Sequence, residues 1–291
     1  MPFRIITDSS ILFRLSRPLN LFIAFLVMIE SVWLTAGKSW VHLEDPSTWG
    51  LMILCLLVMT AGYWVNDLYD YRIDIINKPA RTFIPAKISA KKVWTAWFVL
   101  WAVVLLAGLF YPYRIQLILQ GTWILLFLYA RIFKRKPIIG NLLVSTLSAA
   151  LVLVSAAWIY SLSFTVLCLA IFSFEVTLLR EITKDVEDLK GDMRYHLSTL
   201  PILIGMNATR NLLAWLYGFF LLSCTLPMIV DYVLFNKVNG LFIFLMLVCV
   251  IAPCVSLIFL LGKATRPEDY GKMSTYIKVL MLGGMIALIT L

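Results

Sequence analysis

Residues 240–262 read GLFIFLMLVCVIAPCVSLIFLLG and contain no charged side chain. A helix that crosses about 30 Å of hydrocarbon needs roughly 20 such residues. Eight further stretches have similar length and apolarity: 19–36, 49–66, 93–110, 114–130, 138–160, 163–180, 211–231 and 273–291. The chain of 291 residues is 62% hydrophobic and 14% charged, against about 45–50% and about 25% in a soluble domain. A soluble globule, a disordered chain, collagen and a coiled coil are all excluded by these figures. No stretch alternates with period two, which excludes a β-barrel. The expected fold is all-α: a polytopic membrane protein with a bundle of about nine transmembrane helices, residues 1–291 forming one transmembrane domain.

The net charge of +9 does not call for nucleic acid. Twenty-one of the 25 Lys and Arg residues fall in the N-terminal segment and in the loops after the even-numbered helices. This asymmetry predicts a cytoplasmic N-terminus in an integral protein of the cell's inner (plasma) membrane. The long polar connections, 67–92 and 181–210, lie on the same face, where chemistry is expected. No cleavable signal peptide is expected, because Arg4, Arg14 and Arg17 interrupt the first 18 residues. The five cysteines sit in apolar stretches without CxxC spacing and read as small buried hydrophobes. Two distant histidines, His42 and His196, do not make a zinc site.

Six of the ten aspartates fall in two short windows. NDLYDYRID holds Asp67, Asp70 and Asp74; KDVEDLKGD holds Asp185, Asp188 and Asp192. Both have the spacing D-x2-D-x3-D, 118 residues apart, which suggests an internal repeat with motifs at 66–74 and 185–192. Steps of three and four residues put side chains on one helical face. Asn66, Asp70 and Asp74 form one stripe with Asp67 beside it, and the later three form another. Carboxylates so placed repel one another, and charge near a bilayer is costly. A divalent cation resolves the conflict, and Mg²⁺ prefers hard oxygen ligands together with phosphate. Two facing stripes therefore read as a diphosphate clamp, with Asn66, Asp70, Asp74, Asp185, Asp188 and Asp192 as metal ligands. The competing reading, solvated loop charges, fits two matched clusters poorly in so acid-poor a chain.

A diphosphate also needs cationic donors. Lys78 and Arg81 follow the first cluster, Lys134 follows Tyr129, and Arg194 follows the second cluster. Glu181 and Glu187 are expected to pair with Arg180, Lys184 or Lys190. Trp64, Tyr69, Tyr71 and Tyr129 stand near the polar groups, where rings can shield a carbocation, although most Trp and Phe residues read as lipid-facing. Glu30 and Glu175 lie within apolar helices, which makes each a functional candidate. Either Glu175 holds an acceptor hydroxyl or it is protonated and satisfied inside the bundle.

At these residues the sequence resembles the UbiA superfamily of intramembrane prenyltransferases. Asn66–Asp74 matches NDxxDxxxD, and Asn77-Lys78-Pro79-Ala80-Arg81 matches an NRPxRP-like stretch. Tyr129 and Lys134 precede a PLIGN-like segment at Pro137–Asn141, and Arg180–Asp192 fits REIxKDxEDxxGD. Arg17-Pro18-Leu19-Asn20 resembles RPxN, and Ser198–Pro201 partly matches RTLP. The resemblance implies a nine-helix bundle with a central cavity that transfers a prenyl group from a prenyl diphosphate to a lipophilic acceptor, with Mg²⁺. It implies catalytic roles for Asp70, Asp74, Asp185, Asp188 and Asp192, and diphosphate binding by Lys78, Arg81, Tyr129, Lys134 and Arg194. The form of the second motif most resembles the branch that prenylates geranylgeranylglycerol phosphate from geranylgeranyl diphosphate. His196 and Ser198 depart from the Gly and Arg that often precede TLP. Alternatives within the superfamily are aromatic acceptors such as 4-hydroxybenzoate or dihydroxynaphthoate, or a pyrrole propionate. A CDP-alcohol phosphotransferase lacks its required DG and AR elements here. A cation transporter would carry its acids at mid-membrane rather than at helix ends.

Overall fold

The computed structural model describes residues 7–79, 82–235 and 239–291, and the described residues are helical without strands. The chain opens with a short helix α1 (Asp8–Leu15), then α2 (Pro18–Thr35), α3 (Pro46–Asn77), α4 (Ala90–Gly108), α5 (Tyr113–Arg131), α6 (Ile139–Ile159) and α7 (Phe164–Glu187). Two short helices follow, α8 (Leu189–Arg194) and α9 (Leu200–Ile204). The rest is α10 (Met206–Ser223), α11 (Leu226–Phe235), α12 (Gly240–Met246), α13 (Ala252–Lys263) and α14 (Pro267–Leu288). Each apolar stretch read from the sequence coincides with a long helix or with two consecutive ones. Among the described residues, six helices are long and apolar enough to span a bilayer by length and composition.

The outer surface of the bundle is apolar, as a lipid-facing surface must be: Phe110 is 91% exposed and Trp215 79%. Inside, the helices pack in two halves. One core gathers side chains of α1 to α5 around α3, including Val58, Val65, Val104 and Ile115. The other gathers α7, α10, α12, α13 and α14 around α7, including Val176, Tyr217, Phe220 and Ile277. Helices α2 and α6 join the halves, and Trp33 packs against both cores. None of the five cysteines forms a disulfide; Cys55, Cys224 and Cys254 are buried, Cys168 and Cys249 partly so.

Lipid tails are as apolar as leucine, so association inside a bilayer relies on close packing and interhelical hydrogen bonds. Ser31 on α2 donates to the Val152 carbonyl of α6 at 2.6 Å and meets Ser155 at 2.5 Å; Thr35 reaches Ser155 at 2.9 Å. Thr177 on α7 donates to Ser148 of α6 at 3.0 Å. Ser31→Ala is expected to destabilise the bundle by about 1 kcal/mol, read as an earlier midpoint in detergent-titrated unfolding.

Helix α3 starts at Pro46, where Asp45 accepts from the Ser47 N–H at 2.9 Å. Its 32 residues reach about 48 Å, longer than the hydrocarbon is thick. Nothing between Asn66 and Lys78 breaks a helix, and Pro79 is the first residue that does. Helix α7 likewise starts on a Ser163 cap, 3.2 Å from the Val166 N–H, and runs past its apolar part to Glu187. The connections expected as long loops are therefore largely helical; the first acidic motif rides on the end of α3, and the second runs from the end of α7 into α8.

Candidate functional site

The acidic residues come together where the end of α3, the end of α7, α8 and the turn between α5 and α6 meet. Asn77 makes the junction. Its side-chain amide donates to the Asp188 carbonyl at 2.8 Å and accepts from the Gly191 N–H at 2.8 Å. A Cβ on Gly191 would collide with that amide, so a larger residue there would displace the Asn77 side chain from its two hydrogen bonds. Losing both hydrogen bonds in Asn77→Ala should cost about 2 kcal/mol. It should also slow turnover about tenfold by misplacing Asp188 and Asp192. Faster amide exchange over α8, with helicity retained, checks this.

The first ridge is held by cations and amides. Asp67 accepts from Arg17 at 2.6 Å. Arg17 itself adopts φ +53° at the start of α2 and lies 4.8 Å over the Tyr63 ring. That left-handed turn aims its guanidinium at α3. Burial works against the Arg17 charge, but Asp67, Tyr63 and Asp74 together raise its pKa. Asp70 is buried, accepts from Asn66 at 2.7 Å and pairs with Lys134. On the second ridge, Asp185 accepts from Asn141 at 2.8 Å, and Lys78 lies 2.7 and 2.8 Å from the two oxygens of Asp188. Glu181 pairs with Arg180 at 2.8 Å and Lys184 at 3.1 Å, as the spacing led us to expect.

Lys134 stands at the electrostatic centre. It pairs with Asp70, and its charge also acts on Asp67, Asp74, Asp185 and Asp192. It rides on a short 3₁₀ turn, Phe133–Arg135, that presses against Gly140 at the start of α6. A Cβ at Gly140 would stand 3.0 Å from the Phe133 carbonyl oxygen. Burial pulls against the Lys134 charge, but Asp70 beside it raises its pKa. Asp192 is buried on α8; burial pushes its carboxyl up to about 7, with Lys134 opposing. Tyr129, on the last turns of α5, is electrostatically coupled to Lys134, Glu181, Asp70 and Asp185.

Among the described residues, no three Asp, Glu, His or Cys side chains are close enough together to grip a metal. Asp67, Asp70, Asp185 and Asp188 are each engaged by a cation or amide of the chain itself. The donor set nonetheless fits a hard divalent cation. It offers only oxygens, and the Asn66 Oδ1 is buried without a hydrogen-bond partner. Binding such an ion requires Lys78 and Lys134 to release their carboxylates.

Some expected residues stand elsewhere. Arg194 is exposed on the last turn of α8. Two residues after the inward Asp192, it lies about 200° round the helix and so points away. Arg81 lies outside the described residues. Of the aromatics, only Tyr129 joins the polar cluster. Trp64 donates to the Leu12 carbonyl at 3.1 Å and so anchors α1. Tyr69 packs edge-on against Trp94 and Phe127, and Tyr71 accepts from Arg72. Glu175 accepts from Ser223 at 2.6 Å, and Glu30 is buried with both carboxylate oxygens unpartnered. Asn77 and Asn141 were not singled out for roles in the sequence. Their signal was adjacency, Asn77 three residues beyond the first motif and Asn141 opening an apolar helix.

Comparison with known proteins bears on the family and the fold. The UbiA prenyltransferase family pattern matches residues 21–281. A relative from Methanobrevibacter smithii, digeranylgeranylglyceryl phosphate synthase, is 34% identical over 249 residues, 81% of this chain and 83% of that protein. A solved structure of a digeranylgeranylglyceryl phosphate synthase superposes with a TM-score of 0.69 at 23% identity, covering 97% of this chain and 99% of that one. A UbiA homologue from Archaeoglobus fulgidus, bound to DMAPP and Mg²⁺, superposes with a TM-score of 0.64 at 16% identity, covering 95% and 98%. These two likenesses are of fold.

Proposed function

Because the chain belongs to the UbiA prenyltransferase family, we propose that it transfers a geranylgeranyl group from its diphosphate to a hydroxyl of geranylgeranylglycerol phosphate, with Mg²⁺. What supports this is the pairing of Lys134 with Asp70 of the first ridge, its charge also acting on Asp185 and Asp192 of the second. The name of the Methanobrevibacter smithii relative supports the acceptor, and the Mg²⁺ bound in the Archaeoglobus fulgidus homologue supports the metal. The loop charge asymmetry favours the cell's inner membrane, with the acidic face cytoplasmic. The whole chain would act as one domain whose two motif-bearing helix ends, 66–74 and 185–192, work as a pair.

Asn66, Asp70, Asp74, Asp185, Asp188 and Asp192 would hold the cation, which supplies positive charge against the diphosphate. Lys78 and Lys134 turn from Asp188 and Asp70 to diphosphate oxygens, Arg81 joins them, and the Tyr129 hydroxyl donates to the same group. The allylic C–O bond breaks, and its electron pair leaves with the diphosphate. The acceptor oxygen forms the new C–O bond, and its proton passes to an aspartate or to a diphosphate oxygen. Apolar helix walls keep water from the cation.

The test is product analysis by mass spectrometry. Purified protein receives labelled geranylgeranyl diphosphate and Mg²⁺, with geranylgeranylglycerol phosphate, 4-hydroxybenzoate or dihydroxynaphthoate. An ether product on the glycerol acceptor is expected. Transfer to an aromatic carbon alone would replace that acceptor with a quinone precursor.

A further inference from the structure

A second polar cluster lies beside the acidic ridges and is not used by the diphosphate chemistry. Glu181 is buried on α7, one helical turn, about 5.4 Å, before Asp185. Arg180 and Lys184 both clasp it, and Arg17 acts on it from α2. Arg17 is matched one to one by Asp67 at 2.6 Å. Arg180 and Lys184 share Glu181 as their ion-pair partner, and the Lys184 charge also acts on Asp185. The Arg180 Nε is buried and has no hydrogen-bond partner. A desolvated donor without an acceptor is rare and costly. Both side chains keep some access, at 16% and 22% exposure. Tyr63 on α3 adds its hydroxyl, coupled to Arg17 and Arg180. Tyr129 is coupled to Glu181 as well as to Asp70 and Lys134, and so stands between the two clusters.

We infer that Arg180 and Lys184 form a second anion subsite that takes a phosphomonoester of the acceptor. The inference rests on the glycerol phosphate reading above. A second phosphate is required there by that reaction, because its acceptor carries a phosphate close to the hydroxyl that attacks. One turn of α7 separates the subsite from the ridge that faces the diphosphate, a spacing suited to substrates whose reacting atoms must meet at about 3–3.5 Å. The subsite would distinguish a phosphate-bearing acceptor from an uncharged one by charge and by the Arg180 fork.

The experiment compares two acceptors in detergent-purified full-length protein: geranylgeranylglycerol phosphate and the same ether without its phosphate. Wild type should prefer the phosphate form. The double variant Arg180→Gln, Lys184→Gln should raise KM for the phosphate form about tenfold or more. The preference should collapse, while KM for geranylgeranyl diphosphate stays within about threefold of wild type. Arg180→Lys with Lys184→Arg should keep most of the preference, which guards against misfolding. An unchanged preference, or a parallel rise in KM for the diphosphate, overturns the subsite. A wild type that uses neither acceptor overturns the acceptor reading instead. Calorimetric titration with geranylgeranylglycerol phosphate, without prenyl diphosphate, then decides the subsite separately. Binding weakened about tenfold in the double variant supports it, and equal affinities end it. Inorganic phosphate that displaces the lipid at equal strength would overturn its assignment to the acceptor headgroup.

Discussion

Asp188→Ala is expected to reduce prenyl transfer about a thousandfold while the protein stays folded, and Asp70→Ala should do the same. The two residues belong to different motifs, helices and packed halves of the bundle. Asp188 sits 23% exposed at the end of α7 with Lys78 as its partner, so losing it costs little stability. Asp70 is buried against Lys134, and its loss leaves an ammonium without its carboxylate. Asp70→Asn is the gentler control, since it keeps an oxygen and the volume. Single-turnover product formation, measured beside thermal unfolding of each variant, checks the expectation. Near-normal turnover in a folded Asp188→Ala protein would remove the second ridge from the chemistry. The same result in Asp70→Ala would remove the first.

Lys134→Met should lower kcat about a hundredfold. It should also lower the Mg²⁺ concentration at half-maximal rate. The two effects have one cause. Lys134 neutralises Asp70 and acts on Asp74, Asp185 and Asp192. Without it the ridges are more negative and draw a cation more strongly, but the leaving diphosphate loses a donor. A residue that merely supported the fold would lower stability and rate without changing the metal dependence. Lys134→Arg should restore part of the rate. A rate close to wild type in Lys134→Met, or an unchanged metal titration, would count against the role given to Lys134. Chelation with EDTA should stop turnover of the wild type, and added Mg²⁺ should restore it.

Much of the candidate site was legible because its residues recur at helical spacing. D-x2-D-x3-D puts the carboxylates of the first motif on one face of α3, and a chain with so few acids has little reason to repeat that pattern by chance; in the second motif α7 ends at Glu187, so Asp192 comes from α8. Glu181 could be matched to Arg180 and Lys184 for the same reason, since neighbours on one helix are set by local geometry. Arg194 lies outside that logic. It follows the second motif closely in sequence, but a separation of two residues from Asp192 turns it to the opposite face of α8. The aromatics near the motifs were no guide either. Trp64 and Tyr69 serve packing, and a ring's role depends on which neighbours it meets.

The sequence by itself determined that this protein is a helical membrane bundle with two matched acidic motifs, because apolar length and helical period are local properties of the chain. Only the tertiary structure decided what those motifs do to each other. Asn77 ties α8 to α3 across more than a hundred residues of chain, and Lys134 enters from a turn between two other helices to pair with Asp70. Such contacts depend on the packing of α3, α5, α6 and α7 against one another, and no spacing along the chain encodes that distance.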